Sequence, residues 1–117
     1  MSITLNTKAY AFDTNLTPDS ARYLGPANTH SVKDVLDLKR VAPKPNGDTD
    51  GVARTTAKLS RTVTLANGSK AVAIGEANFA IPVGMAEADI DSLRDDLGDL
   101  LVSSNGDDLV YKHDITQ

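Results

Sequence analysis

Two periods divide the chain. Up to Val83 apolar and polar residues mostly alternate, the period of a half-buried strand; after Gly84 the apolar residues recur every three or four positions, the period of a helix face. Residues 3–5 and 8–12, separated by Asn6-Thr7, predict a small hairpin. The stretch from residue 15 to 26 contains Pro18, Gly25 and Pro26 and reads as an irregular excursion. Residues 32–41 predict a strand, and the turn-rich run from Pro43 to Gly51 an exposed loop. Residues 52–65 and 70–83 predict two long strands, and the Asn67-Gly68 dipeptide between them is a strong hairpin signal. Pro82 suits a strand end, where its missing N–H costs little.

In the second part, Ile90, Leu93, Leu97, Leu100 and Leu101 mark one face of a helix over residues 86–103, about 27 Å long. Glu87, Asp89 and Asp91 lie near its start, where the helix dipole favours anions. Asn105-Gly106 predicts a helix stop. Residues 107–117 fit a short helix or a strand equally well. Strands followed by a helix predict an α+β fold with an antiparallel sheet of about five strands.

Alternation divides the strands into faces. One face of the first long strand carries Arg54, Thr56, Lys58, Ser60, Thr62 and Thr64; the other is mainly apolar, with Arg61 as the exception. In the next strand Ala71, Ala73, Ala77, Phe79, Ile81 and Val83 share a face, opposite Lys70, Val72, Ile74, Glu76, Asn78 and Ala80. Joined as a hairpin, the two strands place Arg54, Thr56, Lys58 and Ser60 near Asn78, and the preceding strand adds Lys33 and Lys39 by parity. Cations and hydroxyls suit phosphates and 2′-hydroxyls, although a merely solvated sheet face also carries threonine and lysine. One helix covers two or three strands, so a single chain leaves apolar sheet uncovered. A homodimer that exchanges helices resolves this.

Charge sharpens the division. The 117 residues sum to −4. The acids crowd the last part, where residues 71–117 carry ten acids against Arg94 and Lys112 alone. Residues 33–70 carry eight bases against four acids. A basic middle suits a polyanion, and an acidic end suits solvent. The length predicts one domain. No apolar run approaches the roughly 20 residues of a membrane helix, and the N-terminus lacks the pattern of a signal peptide. The absence of cysteine excludes disulfides, thiolate metal sites and cysteine nucleophiles.

Little else carries chemistry. Asn46 to Gly51 resembles the start of a calcium loop, but its twelfth position is Ala57 rather than glutamate. His30 and His113 have no ligand partner at helical spacing. Asp95, Asp96 and Asp99 lie on the polar side of the helix. No phosphate-binding glycine loop or nucleophile motif is present, so no catalytic residue, cofactor or metal is expected.

In this order the segments resemble the coat proteins of the single-stranded RNA bacteriophages, the leviviruses and their relatives. The resemblance runs from Val32 to Leu101. It rests on Lys39-Arg40-Val41-Ala42-Pro43-Lys44-Pro45, on the strand Val52-Ala53-Arg54-Thr55-Thr56-Ala57-Lys58-Leu59-Ser60-Arg61-Thr62-Val63, and on Phe79-Ala80-Ile81-Pro82-Val83-Gly84 followed by the leucine-rich helix. It implies an N-terminal hairpin, an antiparallel sheet, and C-terminal helices that pack on the sheet of a dimer partner. It further implies an icosahedral shell with the sheet facing genomic RNA, in a virion assembled in the bacterial cytoplasm without a membrane. Carried over by position, Arg54, Thr56, Lys58, Ser60, Glu76 and Asn78 face the RNA, joined by Lys33 and Lys39. Ile90, Leu93, Leu97, Leu100 and Leu101 form the dimer helix. The chain departs from the family in lacking loop cysteines, in placing Ile74 where some members have a hairpin-binding aromatic, and in placing Glu76 on the RNA side. A small dimeric nucleic-acid-binding regulator would use the same face without a shell. A metal-assisted enzyme would use the acidic helix instead.

Overall fold

A computed structural model of the chain describes residues 2–47 and 51–116. It contains two compact units, the strands up to Val83 and the helices from Gly84. The first is a six-stranded antiparallel sheet in chain order: β1 (Ser2–Leu5), β2 (Lys8–Thr17), β3 (Ser20–Leu24), β4 (Asp34–Val41), β5 (Val52–Thr64) and β6 (Lys70–Pro82). The hairpin β1–β2 belongs to this sheet instead of standing apart. The second unit holds α1 (Glu87–Val102) and α2 (Ser104–Lys112). The architecture is the expected α+β order of sheet, then helix.

Two expectations are corrected. The stretch from residue 15 to 26 is mostly strand: β2 runs on to Thr17, and β3 pairs back against it after Pro18-Asp19. Register shifts between Phe12 and Thr14 and between Asn15 and Thr17 interrupt the alternation there, which disguises the strand in sequence. Asn105-Gly106 does not stop a helix but lies in the first turn of α2. The break falls one step earlier, at Ser103. Its hydroxyl donates to the Leu100 carbonyl at 2.8 Å and accepts from the Gly106 N–H at 3.3 Å, so it ends α1 and caps α2. Gly106 is buried in this corner, and a Cβ there would meet the Leu100 and Leu101 carbonyl oxygens. Glycine is kept for close approach, not for chain termination.

Turn chemistry sets the registers. Asn6 and Thr7 both take positive φ, at 48° and 68°, as a two-residue hairpin turn with the twist of its strands requires. At the β5–β6 turn Gly68 takes φ 86°, while the Asn67 side chain accepts from the Ser69 N–H at 3.0 Å. β5 and β6 then pair without interruption from Val52↔Pro82 to Thr64↔Lys70.

Cross-strand partners share a face. Call face A the one bearing Arg54, and face B the other. The core of the sheet unit lies on face B, where Tyr10, Tyr23 and Leu36 are buried with Ile3, Leu5, Ala21, Leu38 and Leu59 against them. Phe12 meets Tyr23 edge to face at 5.7 Å between ring centroids.

Face B also explains Arg61. Asp34 is 4% exposed, and the Tyr10 hydroxyl donates to its Oδ1 at 2.8 Å. Arg61 donates from Nη2 to the Tyr10 oxygen at 2.6 Å and from Nε to Asp34 Oδ1 at 3.3 Å. The hydrogen bond to Tyr10, followed by the pull of Asp34, raises the Arg61 pKa above the usual arginine value. A buried carboxylate is costly unless paired and hydrogen-bonded. The cation on the apolar face is the counter-ion of this one. Gly25 belongs to the same knot, because a Cβ there would meet the Asp34 carboxylate and Tyr10 Cε2.

Candidate nucleic-acid interface

The registers build face A as rows running across strands. Arg22, Asp37, Lys58 and Glu76 form one row over β3, β4, β5 and β6. Ser20, Lys39, Thr56 and Asn78 form the next, and Val41, Arg54 and Ala80 the one beyond. On the opposite side lie Leu24, Val35, Ser60 and Ile74, and past these Lys33, Thr62 and Val72. The structure therefore brings all eight expected face residues, Lys33, Lys39, Arg54, Thr56, Lys58, Ser60, Glu76 and Asn78, onto one side of one sheet.

Their surroundings differ. Ser60 is 2% exposed, level with Val35 at 3%, so it forms floor instead of contact surface. The Thr56 hydroxyl donates to Asn78 Oδ1 at 2.7 Å, which leaves the Asn78 amide hydrogens as donors. Lys58 lies between two carboxylate positions, Asp37 and Glu76. Asp37 is taken by Arg22, through Nε at 2.9 Å and Nη2 at 3.2 Å. That hydrogen-bonded pair raises the Arg22 pKa despite partial burial. Among the described residues no ion pair forms at Lys33, Lys39, Arg54 or Lys58.

Arg22 and Asp37 escaped the sequence reading. Parity with Lys33 and Lys39 already places Asp37, and would have found Arg22 once β3 was recognised, since Ser20, Arg22 and Leu24 alternate with Ala21 and Tyr23. With Arg22 and Lys70, face A carries Arg22, Lys33, Lys39, Arg54, Lys58 and Lys70 against Asp37, Glu76 and, at the β2 bulge, Asp13.

On face B the strands β5 and β6 show Ala53, Ala57 and Ala77, partly covered, and Ala71, Ala73 and Gly75, exposed, with an open groove of about 530 Å³ lined by Leu38, Ala57 and Phe79 at its apolar end. β6 is the sheet's edge. In the helical unit α1 has no buried residue. Ile90 and Leu97 are partly covered, and Leu93, Leu100 and Leu101 are 45%, 44% and 52% exposed.

Among the described residues no group of three or more His, Asp or Glu side chains is placed to hold a metal. Asp48, Thr49 and Asp50 of the calcium-like stretch lie outside the described residues. No described helix is long and apolar enough to cross a membrane.

No family model and no curated protein matches the sequence. Solved structures do. The chain is similar to the virus-like particle of Beihai levi-like virus 32, with TM-score 0.85 and 19% identity over 97% of this chain and 92% of that one. It is similar to the virus-like particle of Wenzhou levi-like virus 4 (TM-score 0.78, 23% identity, 92% of this chain and 78% of that one). A third likeness is to the virus-like particle of bacteriophage GQ-907 (TM-score 0.80, 14% identity, 99% of this chain and 90% of that one). The fold is that of the levivirus coat protein, as the resemblance in sequence implied.

Proposed function

We propose that the chain is the coat subunit of a levivirus-like RNA phage. It dimerises, closes into an icosahedral shell and holds genomic RNA on face A. The observation that carries this reading is the sorting of side chains on a sheet with the fold of a shell subunit. Face A carries hydroxyls and cations, of which Lys33, Lys39, Arg54 and Lys58 have no ion pair among the described residues; face B carries small residues, three of them exposed. Lys and Arg on face A neutralise phosphates, and Thr56 and Asn78 add hydrogen bonds. The bare half of face B takes the leucine stripe of α1 from a second copy, and the two β6 edges join to continue the sheet. The acidic face of α1, with Asp95, Asp96 and Asp99, then meets solvent outside the shell. The role is structural, without catalysis, and its place is the virion, assembled in the bacterial cytoplasm.

The test is electron microscopy of the full chain purified from a bacterial host, with absorbance at 260 and 280 nm on the same fraction. The chain has three Tyr and no Trp, so even modest RNA dominates that spectrum. Closed uniform particles rich in nucleic acid are expected. A small dimer that binds RNA but never closes would support a nucleic-acid-binding regulator instead. A species free of RNA at all salt concentrations would remove face A as the contact surface.

A further inference from the structure

An open pocket of about 360 Å³ lies on face A beneath the β3–β4 loop, residues 25–33. The strand residues Leu24 and Val35 contribute its apolar lining, and Arg22, Asn28, Thr29, Lys33 and Thr62 its polar lining. We propose that this pocket is a phosphate site that takes one phosphodiester group of RNA bound on face A. The proposal rests on the coat-subunit reading and adds a defined contact to it.

The hydrogen bonding around the pocket selects the ligand. Asn28 Oδ1 accepts from the Asp34 N–H at 3.2 Å, Thr29 Oγ1 from the Val32 N–H at 3.1 Å, and Thr62 Oγ1 from the Lys33 N–H at 2.9 Å. All three side chains spend an acceptor on a backbone amide. Each oxygen keeps a second lone pair, and the three side chains also hold free donors: one amide NH2 and two O–H groups. Lys33 adds an ammonium with no carboxylate partner among the described residues. Arg22 is steadied by Asp37 through two N–H groups, and its remaining N–H groups stay available. Asp13 is the one carboxylate in the lining.

Two cations, Arg22 and Lys33, stand with the donors of Asn28, Thr29, Ser31 and Thr62 and with His30 against the one carboxylate of Asp13, which suits an anionic ligand. A phosphodiester has that character, with one negative charge shared by two unprotonated oxygens. A nucleobase edge is uncharged and would leave the cations unmatched. The loop also sets the pocket in place, since the bonds that Asn28, Thr29 and Thr62 accept from backbone amides fix its backbone. It is held by the Gly25 N–H on the Asp34 carbonyl at 2.8 Å and by the Thr29 N–H on the Val32 carbonyl at 2.8 Å.

The test uses the full chain and a fluorescently labelled uridine decamer, with binding followed across a sodium chloride series. The variants are Lys33→Gln, Lys33→Arg and Thr29→Ala, with the double variant Arg54→Ala/Lys58→Ala as the control for face A. Lys33 is exposed, so its replacement leaves the fold intact. Lys33→Gln is expected to make the slope of log K against log salt shallower by about 0.7, the share of one phosphate on a single strand. Lys33→Arg restores it. Thr29→Ala weakens binding several-fold with the slope unchanged. An unaltered slope in Lys33→Gln, beside a shallower one in the double variant, would keep RNA on face A and reject the pocket. No decamer binding by the unmodified chain would overturn the coat-subunit reading and the pocket together. Inorganic phosphate is the second arm, added at matched ionic strength. If it competes with the decamer on the unmodified chain but not on Lys33→Gln, the decamer's phosphodiester occupies the pocket. If it binds in a Lys33-dependent way without displacing the decamer, the pocket is a site for the free ion and the assignment to RNA fails.

Discussion

Face B is built in two different ways. Over β1–β4 it carries large side chains that bury one another within the chain: Tyr10 at 0% exposure, Tyr23, Leu36 and, around them, Ile3, Leu5 and Leu38. Over β5–β6 alanine and glycine take six of its positions, three of them exposed, between Leu59, Val63, Phe79 and Ile81. Burying a tyrosine or leucine contributes about 1.5–3 kcal/mol, while an alanine methyl contributes under about 1 kcal/mol. The first half can hold its own shape. The second is drawn up by the backbone ladder from β4 and leaves Ala71, Ala73 and Gly75 exposed. Small residues let a helix approach a sheet closely, so in the proposed assembly these positions are where a second copy docks.

This contrast can be broken at several points. The largest effect is expected in the self-buried half. Tyr10→Ala should cost about 3–5 kcal/mol, read as a lowered urea midpoint with the protein concentration held fixed. The other half should respond differently. Under the proposed dimer, Leu97→Ala should weaken association by about 2–5 kcal/mol, read as a concentration-dependent dissociation, while each subunit keeps its circular dichroism. An equal loss of fold in both variants would dissolve the distinction between the halves.

A smaller effect separates packing from polarity. Tyr10→Phe keeps the ring but removes the hydroxyl between Asp34 and Arg61, and should cost about 1–3 kcal/mol because a buried carboxylate loses a donor. A neutral result would mean that Arg61 alone satisfies Asp34.

On face A, Arg54→Ala with Lys58→Ala should leave stability unchanged and make the salt slope of RNA binding shallower by about 1.4, two phosphates on a single strand. The smallest effect is an expected absence. Arg22 and Arg61 have pKa values raised in the folded state. A raised pKa gives stability that is complete below the unfolded value, far above neutrality for arginine, and is lost only as pH rises through the folded one. The two arginines should therefore contribute no pH dependence between about pH 6 and 9. Titration of the urea midpoint of Asp37→Asn against the unmodified chain checks this, since the difference between them should stay constant over that range.

Much of the docking half was legible in sequence. β5, the Asn67-Gly68 turn and β6 follow strict alternation without a bulge, and each side chain's face comes from parity alone. Arg54, Thr56, Lys58, Glu76 and Asn78 needed nothing further. The self-buried half was less legible, because the two register shifts in β2 break the count and Pro18 suggests a loop. With β3 hidden, Arg22 could not be assigned to face A, nor could the pairing that occupies Asp37. The helix corner failed for a related reason. Asn-Gly favours turns, but in α2 the Ser103 hydroxyl and the tight contact at Gly106 outweigh that preference.

By itself the sequence determined the period of each segment, the sign of each face and the order of sheet before helix, because alternation, turn chemistry and charge are local properties. Tertiary structure alone decided which carboxylate each arginine meets, that Ser60 is floor and not surface, and that a pocket lined by Arg22 and Lys33 forms under the β3–β4 loop. Those depend on register summed across several strands and on the path of the loop between them. No window along one strand contains that information.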